Sequence, residues 1–194
     1  MKRSSEVLLE HGAAAQFHVV QLLQNREYFV EELDAFFAKT GPGVGAATPG
    51  SYYWHGNEPD IHAAYLFNAA GRPDLTQKWV RWILDHKYAN RYDGLDGNDD
   101  GGTLSAWYVL SALGLYPVAG TDKYELASPL FEKAEVKLKD KTLVIIAENY
   151  APDRFYARKV FLNDAPLDRA WIKHSEIENG GVLRFVMDSE PAKH

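Results

Sequence analysis

The sequence has no cysteine, no basic tract and no long apolar run. Without cysteine there can be no disulfide and no thiolate metal site. The formal net charge of −6 and the absence of clustered Lys and Arg argue against nucleic acid and anionic membrane surfaces as partners. No apolar stretch approaches the roughly 20 residues of a membrane span. The opening stretch MKRSSEVLLEHGAAA carries two basic residues, but Glu10 and His11 break its short apolar part, so it reads poorly as a signal peptide. The compartment stays open, because cysteine-free chains occur on both sides of a membrane. What the chain does have is core-building material. It is 46% hydrophobic and 13% aromatic over 194 residues, enough for one large domain or a domain with a smaller one.

The first two thirds carry helical periodicity. AAAQFHVVQLLQ and REYFVEELDAFFAK place Phe17, Val20 and Leu23, then Phe29, Leu33 and Phe36, at three- to four-residue spacing. Gly41-Pro42-Gly43 ends that pair, and residues 41–53 are turn-rich. The pattern predicts a third helix over 58–70, with Asn57 as N-cap and Pro59 near the first turn, closed by Gly71 and Pro73. It predicts a fourth over 74–87, with Leu75, Trp79, Trp82 and Ile83 facing inward. An acidic loop follows at 88–102, and TLSAWYVLSALGL makes a fifth helix running to Gly114. After Pro117 the chain turns β-branched and alternating, with turn signals at Lys139-Asp140-Lys141 and Asn163-Asp164. The expected fold is α+β: residues 1–117 form helical hairpins, part of an α/α toroid, and residues 118–194 form a small antiparallel β unit.

Two polar clusters stand out. Residues 93–107 read DGLDGNDDGGTLSAW. Asp96, Asn98, Asp100 and Gly101 imitate the first half of an EF-hand loop, but its twelfth position, where a bidentate Glu belongs, is Trp107, so that reading fails. A solvated turn rich in Asp, Asn and Gly remains an alternative. Residues 54–62 read WHGNEPDIH. Both clusters open a helix, and if those helices are neighbours their starts share a cavity. Asn and Glu oxygens suit calcium, paired carboxylates suit glycoside hydrolysis, and Tyr52, Tyr53 and Trp54 suit stacking on a sugar ring. Each residue also has a plainer reading: Asn57 as a cap, His62 as a core histidine, Trp54 as packing.

The stretches YWHGNEPDIHAAYLFNAAGRPDLTQKWVRWIL and DGLDGNDDGGTLSAWYVLSALGLYPVAGTDKYELASPLF closely resemble glycoside hydrolase family 92, calcium-dependent inverting exo-α-mannosidases. WIKHSEIENGGVLRFVM, starting at Trp171, resembles the family's closing strands. The resemblance runs over roughly residues 17–190. It implies a Ca2+ cofactor held by Asn57 and Glu58. It implies a general base within Asp99 and Asp100, with Asp100 preferred, and a sugar pocket touched by Trp54, His55 and Asn98. The implied partner is a mannose-containing glycan, with α-1,2-linked terminal mannose as substrate. Family members are often periplasmic or secreted.

The resemblance breaks at the general acid. The family's acid segment lies upstream of GNEP. Here the nearest match, Glu10 to Phe17, places His11 at the acidic position with Glu10 one place off. The family's N-terminal β-sandwich has no counterpart. The expectation is therefore the C-terminal portion of an α-mannosidase, inactive alone. A partner chain or missing N-terminal domain would complete it, and it would associate into an oligomer through Phe17, Leu22, Phe36, Trp79 and Trp82. The alternatives are a non-catalytic calcium- or carbohydrate-binding scaffold, and a different toroid glycosidase using Glu58 and Asp100 as its own acid–base pair.

Overall fold

The computed structural model describes residues 25–45 and 52–192. The chain divides between Tyr108 and Val109 into two compact units.

In the first unit, α1 (Arg26–Ala38) starts where the Asn25 side chain accepts the N–H of Tyr28 at 3.0 Å. That bond satisfies one of the donors every helix start leaves open. Its buried face is Phe29, Leu33 and Phe37, and Phe37 stacks on Trp79 with ring centres 5.1 Å apart. The helix expected over 13–24 lies outside the described residues.

The helix expected over 58–70 is not continuous. Residues 57–62 run as successive turns, in which Asp60 N–H donates to Asn57 O and Ala63 N–H to Asp60 O. Only a 3-10 turn (Ala63–Tyr65) and one helical turn, α2 (Leu66–Ala69), follow. Asn57 therefore caps no helix. Residues 57–62 mix exposed Glu58 with half-buried and buried neighbours and hold no apolar period, while Ala63 to Phe67 are all 0–2% exposed. A segment covered on every side needs no amphipathic period, and periodicity cannot define its conformation.

Next comes α3 (Pro73–His86), and Pro73 supplies its first position rather than closing what precedes it. Trp79 and Ile83 are buried as expected, together with Val80 and Leu84, while Leu75 and Trp82 are half-buried. Trp79 donates its indole N–H to Asp34 at 2.6 Å and is only 6% exposed. It is thus a core residue of its own unit, not part of an exposed association surface. α4 (Thr103–Ala112) follows the acidic loop.

In the second unit, β1 (Leu115–Pro117), β2 (Lys123–Leu126) and β7 (Trp171–Lys173) form one antiparallel sheet in the order β1-β2-β7. The other sheet runs β3-β4-β8-β5-β6, from β3 (Lys133–Leu138), β4 (Lys141–Glu148), β5 (Tyr156–Leu162), β6 (Ala165–Leu167) and β8 (Gly181–Asp188). A short helix, α5 (His174–Ile177), precedes β8. Both expected hairpin turns form. Lys139 (φ 54°) turns β3 into β4, and Asn163 and Asp164 (φ 50° and 67°) turn β5 into β6.

The unit is not purely antiparallel, because β8 pairs parallel to β4 and antiparallel to β5. It inserts between two strands that follow each other in sequence. Alternating side chains reveal which face is buried but not the direction of the neighbour. Leu143, Ile145 and Ala147 of β4 and Leu183, Phe185 and Met187 of β8 fill the core, with Leu115, Leu126 and Ile172 from the smaller sheet. Each large side chain so buried contributes on the order of 1.5–3 kcal/mol.

Candidate active site

The two polar clusters meet in the first unit. Tyr88 and Leu95 form an antiparallel bridge, and the loop between them is closed by Ala89 N–H to Gly94 O at 2.9 Å. The next pair along that bridge is Lys87 and Asp96. Their side chains form a buried ion pair at 3.5 Å, 6% and 0% exposed. Asp96 also accepts the backbone N–H of His55 at 3.3 Å. The acidic loop is thereby joined to the Trp54–Asp60 segment. The approach is close enough to require glycine: a β-carbon on Gly56 would lie 1.9 Å from Asp96 O. Gly97 (φ 127°) faces Gly56 across the same contact.

His55 lies under this junction, fully buried. Its Nδ1 contacts Tyr53 OH at 2.5 Å and its Nε2 contacts Tyr88 OH at 2.6 Å. Tyr88 spends its own proton on Leu104 O at 2.8 Å, so His55 must donate from Nε2 and accept from Tyr53 at Nδ1. Burial, then the nearby Lys87 charge, lowers its pKa to about 3. The ring stays neutral and is held edge-on to Trp107 at 4.6 Å. Both ring nitrogens are engaged inside the protein, which leaves His55 supporting the loop from beneath.

Above the junction the carboxyls converge. Glu58 and Asp100 are both exposed, and their side chains hydrogen-bond to each other. Asp100 sits at φ 48°, a left-handed conformation unusual outside glycine. Its carboxyl is raised above the ordinary range, first by desolvation, then by the charge and hydrogen bond of Glu58, then by the Asp99 charge. Asp99 is committed elsewhere: its Oδ1 accepts Ser105 N–H at 2.8 Å, at the positive end of α4. Asn98 is exposed beside them.

The Asn57 side chain donates its amide N–H to Asp60 and carries an amide oxygen as its acceptor. Asp60 is buried, takes Trp54 N–H at 3.3 Å, and is pushed up to about 6 by desolvation against those two hydrogen bonds. Trp54 is half-buried, its ring edge against Gly56, and its indole N–H is buried with no partner among the described residues. His62 is buried as a core histidine, lowered to about 4 by desolvation, and its Nε2 is likewise unpartnered.

Among the sequence candidates, then, Glu58, Asp99 and Asp100 gather at one spot, with Asn57 next to Glu58. His55 is drawn beneath. The Glu10–Phe17 segment lies outside the described residues. Sequence reasoning missed Lys87 and gave Asp96 no role beyond the failed EF-hand match. A lysine at the end of a helix and an aspartate in a turn signal nothing until the Tyr88–Leu95 bridge places them side by side.

Residues 15–189 match the glycosyl hydrolase family 92 catalytic domain. The chain belongs to glycoside hydrolase family 92. A family 92 α-mannosidase of Bacteroides thetaiotaomicron, solved with mannoimidazole, superposes with a TM-score of 0.79 at 35% identity. It covers 91% of this chain and 24% of its own. An inverting family 92 mannosidase of the same organism gives 0.76 at 33% identity, covering 93% and 26%. An uncharacterized secreted glycosidase of Arthroderma benhamiae is 28% identical over 176 residues, 89% of this chain and 21% of its own. The family 92 chain thus spans about a quarter of the length of these relatives. The two solved structures share its mixed α and β organisation over the matched part.

Proposed function

We propose that this chain carries the calcium-and-base side of a family 92 active site, acting on terminal α-linked mannose. The observation that supports it best is the Glu58–Asp100 contact, which joins the two sequence clusters at one exposed point. Two carboxyls in hydrogen-bond contact need a shared proton or a cation. Asn57 and Glu58 offer hard oxygen donors of the kind calcium takes, with Asp100 adjacent. Among the described residues no three acidic or imidazole side chains form a metal cluster, so sugar hydroxyls and water would fill much of the shell. Bound there, calcium would polarise and orient vicinal sugar hydroxyls of the terminal ring.

The remaining work falls to the chain's own groups. Asp100, ionised and facing outward, accepts a proton from the attacking water. Asp99, held by Ser105 N–H, fixes the turn and keeps negative charge beside the base. Asn98 and the Trp54 ring border the same surface and would meet the sugar. His55 holds the loop in register. In an inverting reaction the acid stands roughly 6.5–9.5 Å from the base. On this inverting reading the acid therefore comes from elsewhere than Glu58, which is in contact with Asp100. The helical unit is part of an α/α toroid on this reading.

A second reading is binding of calcium and mannose without hydrolysis. It is favoured by the exposure of Glu58, Asn98 and Asp100 to solvent, since such catalysis admits one water to a site otherwise closed to bulk solvent. Mannose release from an α-1,2-linked mannobiose, with calcium and then with chelator, separates the two. Calcium-dependent turnover lost in Asp100→Asn supports the hydrolase. Calcium and mannose binding without turnover, both alone and with the acid-bearing portion of a family 92 relative added, supports the binding module, and neither sinks both.

A further inference from the structure

We propose that Lys87 and Asp96 are positioning residues that set the spacing between the Asn57–Glu58 arm and the Asp99–Asp100 arm. The proposal rests on reading those arms as ligand and base. Three segments meet at this pair. Asp96 accepts His55 N–H and receives Lys87 at 3.5 Å. Lys87 Nζ also donates to Gly41 O and Gly43 O, each at 3.2 Å, which secures the stretch after α1.

The plain role for a lysine at this position is to complement the C-terminal end of α3. Such a lysine would keep its ammonium in water, whereas this one is buried with all three of its oxygen partners inside the protein. Burying two opposite charges costs desolvation and gives little net stability against apolar replacements of similar size. What the pair does confer is geometry. From Asp96 the chain reaches Asp100 in four residues, and from His55 it reaches Glu58 in three. The hydrogen bond between Asp96 and His55, with the Gly56 contact beside it, therefore fixes where both arms set out. Groups that orient ligands without touching the metal are worth about 10–100-fold in metal affinity.

The test compares the full chain as wild type, Asp96→Asn, and the charge-balanced Lys87→Met/Asp96→Asn. It measures the thermal midpoint, amide hydrogen exchange over 54–60 and 95–101, and calcium affinity. The single variant leaves the Lys87 charge unpaired, and its midpoint should fall. The double variant should recover that midpoint while exchange in both segments stays roughly tenfold faster and calcium binds about 10–100-fold more weakly. Recovery of loop protection and affinity along with the midpoint would make the pair merely stabilising and overturn the proposal. If the wild type binds no calcium but both segments loosen in the double variant, the tie stands and the calcium reading falls. Should the double variant not fold, Lys87→Arg keeps the charge and changes the donor geometry. Faster exchange confined to the two segments is then expected, and unchanged exchange overturns the idea.

Discussion

The α-carbon of Gly56 lies against the carbonyl oxygen of Asp96, so near that a methyl group in place of its hydrogen would come within 1.9 Å of that oxygen. Neither partner can yield, since both are backbone. Gly56→Ala should force the two loops apart and destabilise the first unit by roughly 1–3 kcal/mol, the usual cost of overpacking. A thermal melt that matches wild type would show that the loops do not touch as described.

The Glu58–Asp100 contact has a signature in titration. Asp100 is raised by desolvation and by Glu58 and Asp99. Glu58→Gln removes one negative neighbour, so the Asp100 pKa should move down toward its ordinary value. NMR titration of the Asp100 carboxyl in calcium-free solution reads this directly. An unchanged curve would mean the carboxyls are apart.

Acid sensitivity should come largely from two histidines. His55 and His62 are lowered to about 3 and about 4, against 6.5 when unfolded. Above 6.5 neither state binds a proton and there is no penalty. As pH falls from 6.5 the unfolded chain gains protons that the folded chain refuses, and stability declines until the folded values are reached. Asp60, pushed up to about 6, works in the opposite sense: it adds stability at low pH that is lost as pH rises from about 4 through 6. His62→Leu removes one buried histidine and its unpartnered nitrogen. Urea midpoints from pH 7 to 4 should fall less steeply in this variant than in wild type.

The β5–β6 turn offers a gain. Asp164 holds φ 67° with a side chain that is nearly fully exposed, and Asn-Gly is the preferred pair for such hairpin turns. Asp164→Gly should stabilise the second unit by about 0.5–1 kcal/mol. Asn163→Gly should not, because the Asn163 side chain accepts Val182 N–H at 2.9 Å. Equal effects of the two substitutions in chemical denaturation would contradict this assignment.

The helices α1, α3 and α4 were legible because each shows an apolar period, a cap or a proline. Residues 57–65 were not: Asn57 to Ile61 mix exposed and buried positions with no apolar period, and from His62 onward burial on every side erases the period that marks a helix. Asp99 and Asp100 were visible as an acidic run, and their placement beside Glu58 was foreseeable only as a condition: that the two segments be neighbours. What makes them neighbours is a glycine contact and an ion pair, features that depend on distance in space and leave no pattern along the chain. The parallel β4–β8 pair was hidden for a related reason, since strand direction is a property of the connection.

The position of β8 also orders events in time. The β3–β4 and β5–β6 hairpins close over a few residues each and can form early. The sheet between them, though, has a slot that only residues 181–188 fill. Until that stretch leaves the ribosome, β4 and β5 each present an unpaired edge and half of an open core. The second unit therefore matures late, through its most distant contacts, and a nascent chain stalled short of Gly181 would expose the sort of edge that invites pairing with another chain.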